Sequence, residues 1–288
     1  MKWQRGTQND DVVDVRGRRA PAGRIAAGGI GVTILVAVVA QLLGVDISGL
    51  FSGGGGGGTS PQSQQPSTPE PPKGADPEAE MIDFIRFVMT DIQDTFEIEF
   101  KAAGKAYRRS KLYVFREGIQ TACGLSSSAI GPFYCPGDEN AYIDLSFFRE
   151  LKARFGAPGD FAQAYVLAHE MGHHVQNLNG VEKQTRRMGR DERSRNVASV
   201  KQELQADCYA GVWGHHAQGK KLLEIGDLEE ALKAAEAIGD DRLQTRAGVE
   251  VDPETFTHGT SAQRMKWFRR GFDAGKLEAC DTFSASDL

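Results

Sequence analysis

At 288 residues with 40% apolar side chains, the chain can bury a sizeable core in one domain or two. Its 34 basic residues against 39 acidic ones leave a net charge of −5, and no basic patch is interleaved with aromatics, which argues against a nucleic-acid partner. Four cysteines, Cys123, Cys135, Cys208 and Cys280, include no CxxC pair, which excludes a zinc ribbon or a CxxC redox motif.

Residues 1–24 read as a polar, basic tail carrying Lys2, Arg5, Arg16, Arg18, Arg19 and Arg24. The run from Ile25 to Val45 is 21 residues without a charge, long enough to span a bilayer as one transmembrane helix. The next basic residue is Lys73. The positive-inside rule therefore predicts a single-pass membrane protein with residues 1–24 cytoplasmic and the rest outside. Residues 46–76 are rich in Gly, Ser, Pro and Gln; such a segment buries too little surface to offset its ordering entropy and reads as a flexible linker. The remainder, residues 77–288, is predicted to be one α+β, mostly helical domain.

Asp76 and Pro77 suit a helix start, and Met81, Ile82, Phe84, Ile85, Val88, Met89 and Ile92 follow at helical spacing, so 77–103 reads as one or two helices. Lys111 to Phe115 and Ala141 to Leu145 read as strands, the second placed where an extended peptide can pair along a sheet edge. The stretch 118–137 between them is rich in turn residues, and Ser146 to Phe155 reads as a short helix.

Phe161 to Asn177 is predicted to be a helix bearing His169, Glu170 and His173 in the order H-E-x-x-H. Positions i and i+4 share a helix face, so both imidazoles can reach one metal ion. Zinc accepts neutral imidazole, and Glu170 can take a proton from a water beside it. Gly172 supplies a small side where a neighbour passes close. His174 points about 100° away from His173 and reads as core. A catalytic zinc site needs a third protein ligand. The longer pattern HExxHxxGxxH fails, with Gln176 and Asn179 at its later positions. The helix predicted over Arg193 to Gln218 offers Glu203 and Asp207 four residues apart among Leu204, Ala206, Cys208, Tyr209, Val212 and Trp213. A carboxylate pair in an apolar helix needs a partner. Glu203 can bind the metal while Asp207 accepts from the far nitrogen of a ligand histidine. His215 and His216 lie roughly 18 Å along the axis from Glu203, too far to join the site.

HEMGHHVQ, ELQADCYAGVW, FTHGTSAQR and the late CDTF, with the opening MKWQ and the tail–apolar run–linker layout, resemble the bacterial putative neutral zinc metallopeptidase family over nearly the whole chain. The resemblance implies a zincin-like domain with a small antiparallel sheet and one catalytic zinc. It implies His169, His173 and Glu203 as ligands, Glu170 as catalytic base, Asp207 behind a ligand histidine, and a peptide or protein as substrate.

Residues 227–245 read as one helix. Thr260 or Ser261 signals the start of the next, with His258 just before it and Arg264 in its first turns. Either side chain can donate to negative charge developing on a scissile carbonyl; His258 is the candidate catalytic residue, and Arg264 reads as structural. Outside the cytoplasm disulfides are permitted. Cys123–Cys135 and Cys208–Cys280 are one of three possible connectivities. A peptide deformylase would take a cysteine ligand from upstream, and Cys123 in ACGLSS is the only loose match to its motif. A membrane-anchored scaffold with a retained zinc is the non-enzymatic alternative; Glu170 argues against it, since a structural site needs no base.

Overall fold

The computed structural model describes residues 1–7, 9–17, 76–127, 131–153, 156, 159–189 and 191–288. The predicted span 25–45 and nearly all of the predicted linker 46–76 lie outside the described residues. Among the described residues no helix is long and apolar enough to cross a membrane.

The domain is mostly helical with two small sheets. Strand β1 (Val12–Asp14) is followed by helix α1 (Ala79–Ala102), strands β2 (Leu112–Phe115), β3 (Gly118–Thr121), β4 (Gly124–Ser127), β5 (Phe133–Cys135) and β6 (Asn140–Asp144), and helix α2 (Ser146–Ala153). Helices α3 (Asp160–Leu178), α4 (Val181–Met188), α5 (Glu192–Gly219), α6 (Asp227–Ala237), α7 (Asp240–Arg246) and α8 (Ser261–Ala274) complete the order.

The main sheet has the order β1-β2-β6-β5. Strands β1, β2 and β6 run parallel and only β5 is antiparallel, which corrects the expected antiparallel sheet. Strands β3 and β4 form a separate antiparallel hairpin. The turn-rich stretch 118–137 thus supplies three strands of three or four residues, too short to show a period. Ala141 to Ile143 lie in an interior strand, so among the described residues the sheet edge near the metal helix belongs to β5.

Alternation along the strands sorts their side chains. Leu112, Val114, Ala141 and Ile143 face the helices and join Ile85, Met89, Phe161 and Leu167 in the main core. Phe115, Cys135 and Tyr142 form a smaller cluster on the opposite face with Val15.

Residues 1–17 are part of this domain. Val12, Val13 and Asp14 pair in register with Leu112, Tyr113 and Val114, and the Met1 amino group reaches Asp160 at 2.5 Å. Strands sharing a ladder within one chain cannot lie on opposite faces of a membrane. Strand β1, from the predicted cytoplasmic tail, therefore lies on the same side as the domain it pairs with. Three apolar-polar residues remote from their partner gave no strand signal.

The helices that carry the site pack very closely. A Cβ on Gly172 of α3 would stand 2.9 Å from the Ala206 carbonyl oxygen and 3.0 Å from its Cα on α5. Farther along α5, a Cβ on Gly211 would meet the Phe268 carbonyl oxygen of α8 at 2.0 Å, and one on Gly271 the Cys208 oxygen at 1.9 Å. Absent side chains let three backbones approach, and the helix bearing the H-E-x-x-H pattern, the helix bearing Glu203 and the helix bearing Arg264 form one unit. Both disulfides are present: Cys123–Cys135 and Cys208–Cys280. The second fixes α5 to the chain's last turns. Residues 227–245 are two helices broken at Ile238–Gly239. Helix α8 starts on a capping box between Thr260 and Gln263.

Candidate metal centre

Helices α3 and α5 bring His169, His173 and Glu203 together, with one ligand atom from each lying within 4.8 Å of the others. His169 Nε2 is 3.2 Å from Glu203 Oε2, and His173 Nε2 is 3.5 Å from Glu203 Oε1. Ligand atoms about 2.05 Å from a tetrahedral zinc are about 3.3 Å apart. The trio fits that ion in both spacing and donor chemistry. The imidazole planes are nearly perpendicular, at 87°, so their nitrogens converge rather than stack. His173 and Glu203 are 14% and 18% exposed, which leaves the centre an opening to solvent.

Both histidines are held by their far nitrogens. His169 Nδ1 donates to Asp207 Oδ1 at 2.9 Å, and His173 Nδ1 donates to Gln176 Oε1 at 2.9 Å. Each therefore presents Nε2 to the metal position. Gln176 is itself fixed, its amide donating to the Gln202 carbonyl at 2.6 Å and to Gln205 Oε1 at 3.1 Å. Gln176, which breaks the longer zinc pattern in the sequence, is thus part of the support.

Asp207 is fully buried and accepts four bonds. Arg264 donates to Oδ2 from Nε at 2.8 Å and to Oδ1 from Nη2 at 2.9 Å. Tyr165 donates at 2.5 Å and His169 at 2.9 Å. Burial pushes the Asp207 carboxyl up, but Arg264 and His169 together outweigh it and hold Asp207 below its usual range. Arg264, 2% exposed, donates to this carboxylate from two nitrogens.

The protein's own charges ask for a cation between the imidazoles and Glu203. Burial alone would lower the His169 pKa, yet hydrogen bonds to Asp207 and Glu203 push it up to about 10. Burial alone would raise Glu203, yet His173 and His169 hold it well below the carboxylate range. Glu170 behaves oppositely. It is 8% exposed, and burial raises its pKa, with His173 only partly opposing. A carboxylate whose proton affinity is raised suits the role of base.

His258 stands on the turn before α8 with Nδ1 donating to Asp240 Oδ1 at 3.0 Å. Asp240 lay hidden inside the single helix predicted over 227–245. His174 is core: its Nε2 donates to the Arg108 carbonyl at 2.6 Å and Nδ1 accepts from Tyr134 at 3.0 Å. His215 donates to the Phe272 carbonyl and His216 to that of Gly275, both toward the end of α8. Cys123 is spent in its disulfide, which removes the cysteine ligand a deformylase would need. Asp160, Asp227 and Glu230 form another acidic group among the described residues, with oxygen donors alone and the Met1 amine beside Asp160.

A helix carrying H-E-x-x-H against a helix carrying E-x-x-x-D brings together a donor set that could hold a metal ion. The chain belongs to the family described as putative neutral zinc metallopeptidase, which it matches over residues 1–283. It is 45% identical over 300 residues to the uncharacterized protein YpfJ of Escherichia coli K12, covering 99% of this chain and 100% of that one. It is 46% identical over 196 residues to the uncharacterized protein Rv2575 of Mycobacterium tuberculosis H37Rv, covering 63% of this chain and 65% of that one. No solved structure matches the chain.

Proposed function

We propose that the protein is a zincin-like endopeptidase that holds one zinc on His169, His173 and Glu203. The observation that carries this reading is the convergence of two Nε2 atoms and one carboxylate at 3.2 and 3.5 Å beside the buried Glu170. Bound there, zinc supplies a Lewis acid for a peptide carbonyl and lowers the pKa of a water. Glu170 takes the proton of the attacking water and passes it to the leaving amine. In this reading His258 donates to the charge that develops on the carbonyl oxygen. An extended peptide adds to the outer edge of β5, which among the described residues pairs only with β6 and is tied to the metal helix by the Tyr134–His174 bond. The uncharged run 25–45 supports attachment to a membrane.

The test is peptide-library cleavage by zinc-loaded wild type and Glu170→Gln. Zinc in both, with cleavage in wild type alone, is the expected result. Equal cleavage by both overturns the role of Glu170. Zinc in both with cleavage in neither favours a non-catalytic scaffold.

A further inference from the structure

One row of side chains crosses the main sheet on the face turned away from the helices. Val13 of β1 is in register with Tyr113 of β2, Tyr113 with Tyr142 of β6, and Tyr142 with Phe133 of β5. The three rings stack. Tyr113 and Tyr142 have centroids 5.3 Å apart and planes 17° from parallel, and Tyr142 and Phe133 are at 4.9 Å and 13°. These intervals match the spacing of neighbouring strands, about 4.8 Å. Each ring therefore stands upright on its strand and turns its faces to the strands on either side.

Tyr142, inside the row, is buried. Phe133 ends it: β5 is the last strand in the sheet order, and Phe133 is only partly buried. Tyr142 covers one face of the Phe133 ring, and among the described residues no second ring stacks on the other. The strand that carries Phe133 is held from both sides. Cys135, on the same face as Phe133, is bonded to Cys123. Tyr134, between them, packs with the main core on the helix side. Its hydroxyl donates to His174 Nδ1 at 3.0 Å and accepts from Asn177 at 3.2 Å. The edge is thus set in place before anything pairs with it, which reduces the ordering cost of binding there.

We propose that Phe133 sets a preference for an aromatic side chain in the substrate: a peptide strand added to the edge of β5 lays the residue opposite Phe133 on the open face of that ring, as the next member of the row. The inference rests on the peptidase reading and names a substrate class for it. Directly opposite residues on paired strands have Cβ atoms about 4.5–5.5 Å apart, the interval at which the existing rings stack. A planar ring in that slot gains attraction beyond the area it buries, which a saturated side chain of the same size does not. Alternation turns the residues on either side of the aromatic one to the Tyr134 face, the side of the metal helix.

The test is binding to the zinc-free full chain, where nothing is cut. The probes are two acetylated and amidated peptides, Thr-Val-Xaa-Val-Thr, with phenylalanine or its saturated counterpart cyclohexylalanine at the centre. Titrations of protein labelled with ¹³C and ¹⁵N at phenylalanine read both affinity and place. On wild type the Phe133 signals shift with both peptides, and its ring protons move upfield with the phenylalanine peptide alone, as an aromatic ring stacked on them requires. The affinity ratio of phenylalanine to cyclohexylalanine peptide is about fivefold higher on wild type than on Phe133→Leu, the size of one aromatic pair beyond its buried area. Phe133→Tyr keeps the wild-type ratio. An equal ratio on wild type and Phe133→Leu, shifts confined to signals other than Phe133, or no binding of either peptide overturns the proposal. The upfield shift in wild type carries the test if Phe133→Leu does not fold. Failure of the peptidase reading is a separate result, since it shows as zinc-loaded wild type that cuts no peptide.

Discussion

Replacing Asp207 with asparagine keeps the side chain's shape and removes its charge. In the native protein the two carboxylate oxygens accept from Arg264 Nε and Nη2, from Tyr165 and from His169, all between 2.5 and 2.9 Å. An asparagine offers one oxygen, so at least one of these donors faces an NH₂ group, and the buried Arg264 guanidinium loses its counter-charge. Breaking one side of a buried pair in this way costs about 3–5 kcal/mol. At roughly 2–4 °C per kcal/mol for a domain near this size, Asp207→Asn melts about 6–20 °C below wild type. His169 also loses the acceptor that fixes its tautomer, which lowers zinc affinity about 10–100-fold. Scanning calorimetry with and without a chelator, together with competitive zinc titration, separates the two effects. A melting point within about 2 °C of wild type and an unchanged zinc affinity would refute the account of how the site is held.

Gly172→Ala places a methyl against the Ala206 backbone at 2.9 Å; overpacking of this kind costs about 1–3 kcal/mol, and because it parts α3 from α5, zinc affinity drops with stability. Gln176→Leu removes the His173 Nδ1 acceptor and lowers zinc affinity about 10–100-fold, while the melting point of chelator-treated protein changes far less than in Asp207→Asn. Reduction, or Cys208→Ala with Cys280→Ala, opens a loop of sequence separation 72 and costs roughly 4 kcal/mol by loop entropy, read as a shift in the denaturant midpoint. Arg16 pairs with Asp14 and Asp76 at 2.7 and 2.6 Å, and its hydrogen bonds hold both carboxyls below 3.8. A depressed folded pKa means that this stabilisation is complete above about 3.8 and is lost as pH falls through the lower folded values. Protease sensitivity of residues 1–17 therefore rises below about pH 3.8, and Arg16→Met flattens that rise.

The candidate zinc ligands were legible because their spacing is local. Four residues along a helix fix a face, and His169, His173, Glu203 and Asp207 each declare their position through a neighbour one turn away. What holds them was less legible, because each support comes from a distant part of the chain. Gln176 reads as a defect in a longer pattern until Gln202 and Gln205 are seen beside it. Asp240 reads as a solvated helix charge until the turn at Thr257–Gly259 closes over it. The parallel pairing of β1 with β2 joins segments about a hundred residues apart, and a three-residue strand has no period to read. The positive-inside count weighed the same N-terminal residues by charge alone. Their pairing with the domain decides on which side they lie.

The account stands most directly on where zinc binds. Anomalous diffraction at the zinc edge from crystals of the zinc-loaded protein locates the ion without reference to activity. The account predicts one peak per chain, about 2.0–2.2 Å from His169 Nε2, His173 Nε2 and a Glu203 oxygen, with Asp207 and Gln176 still on the far nitrogens. A peak elsewhere, or none in well-folded protein given excess zinc, would contradict it.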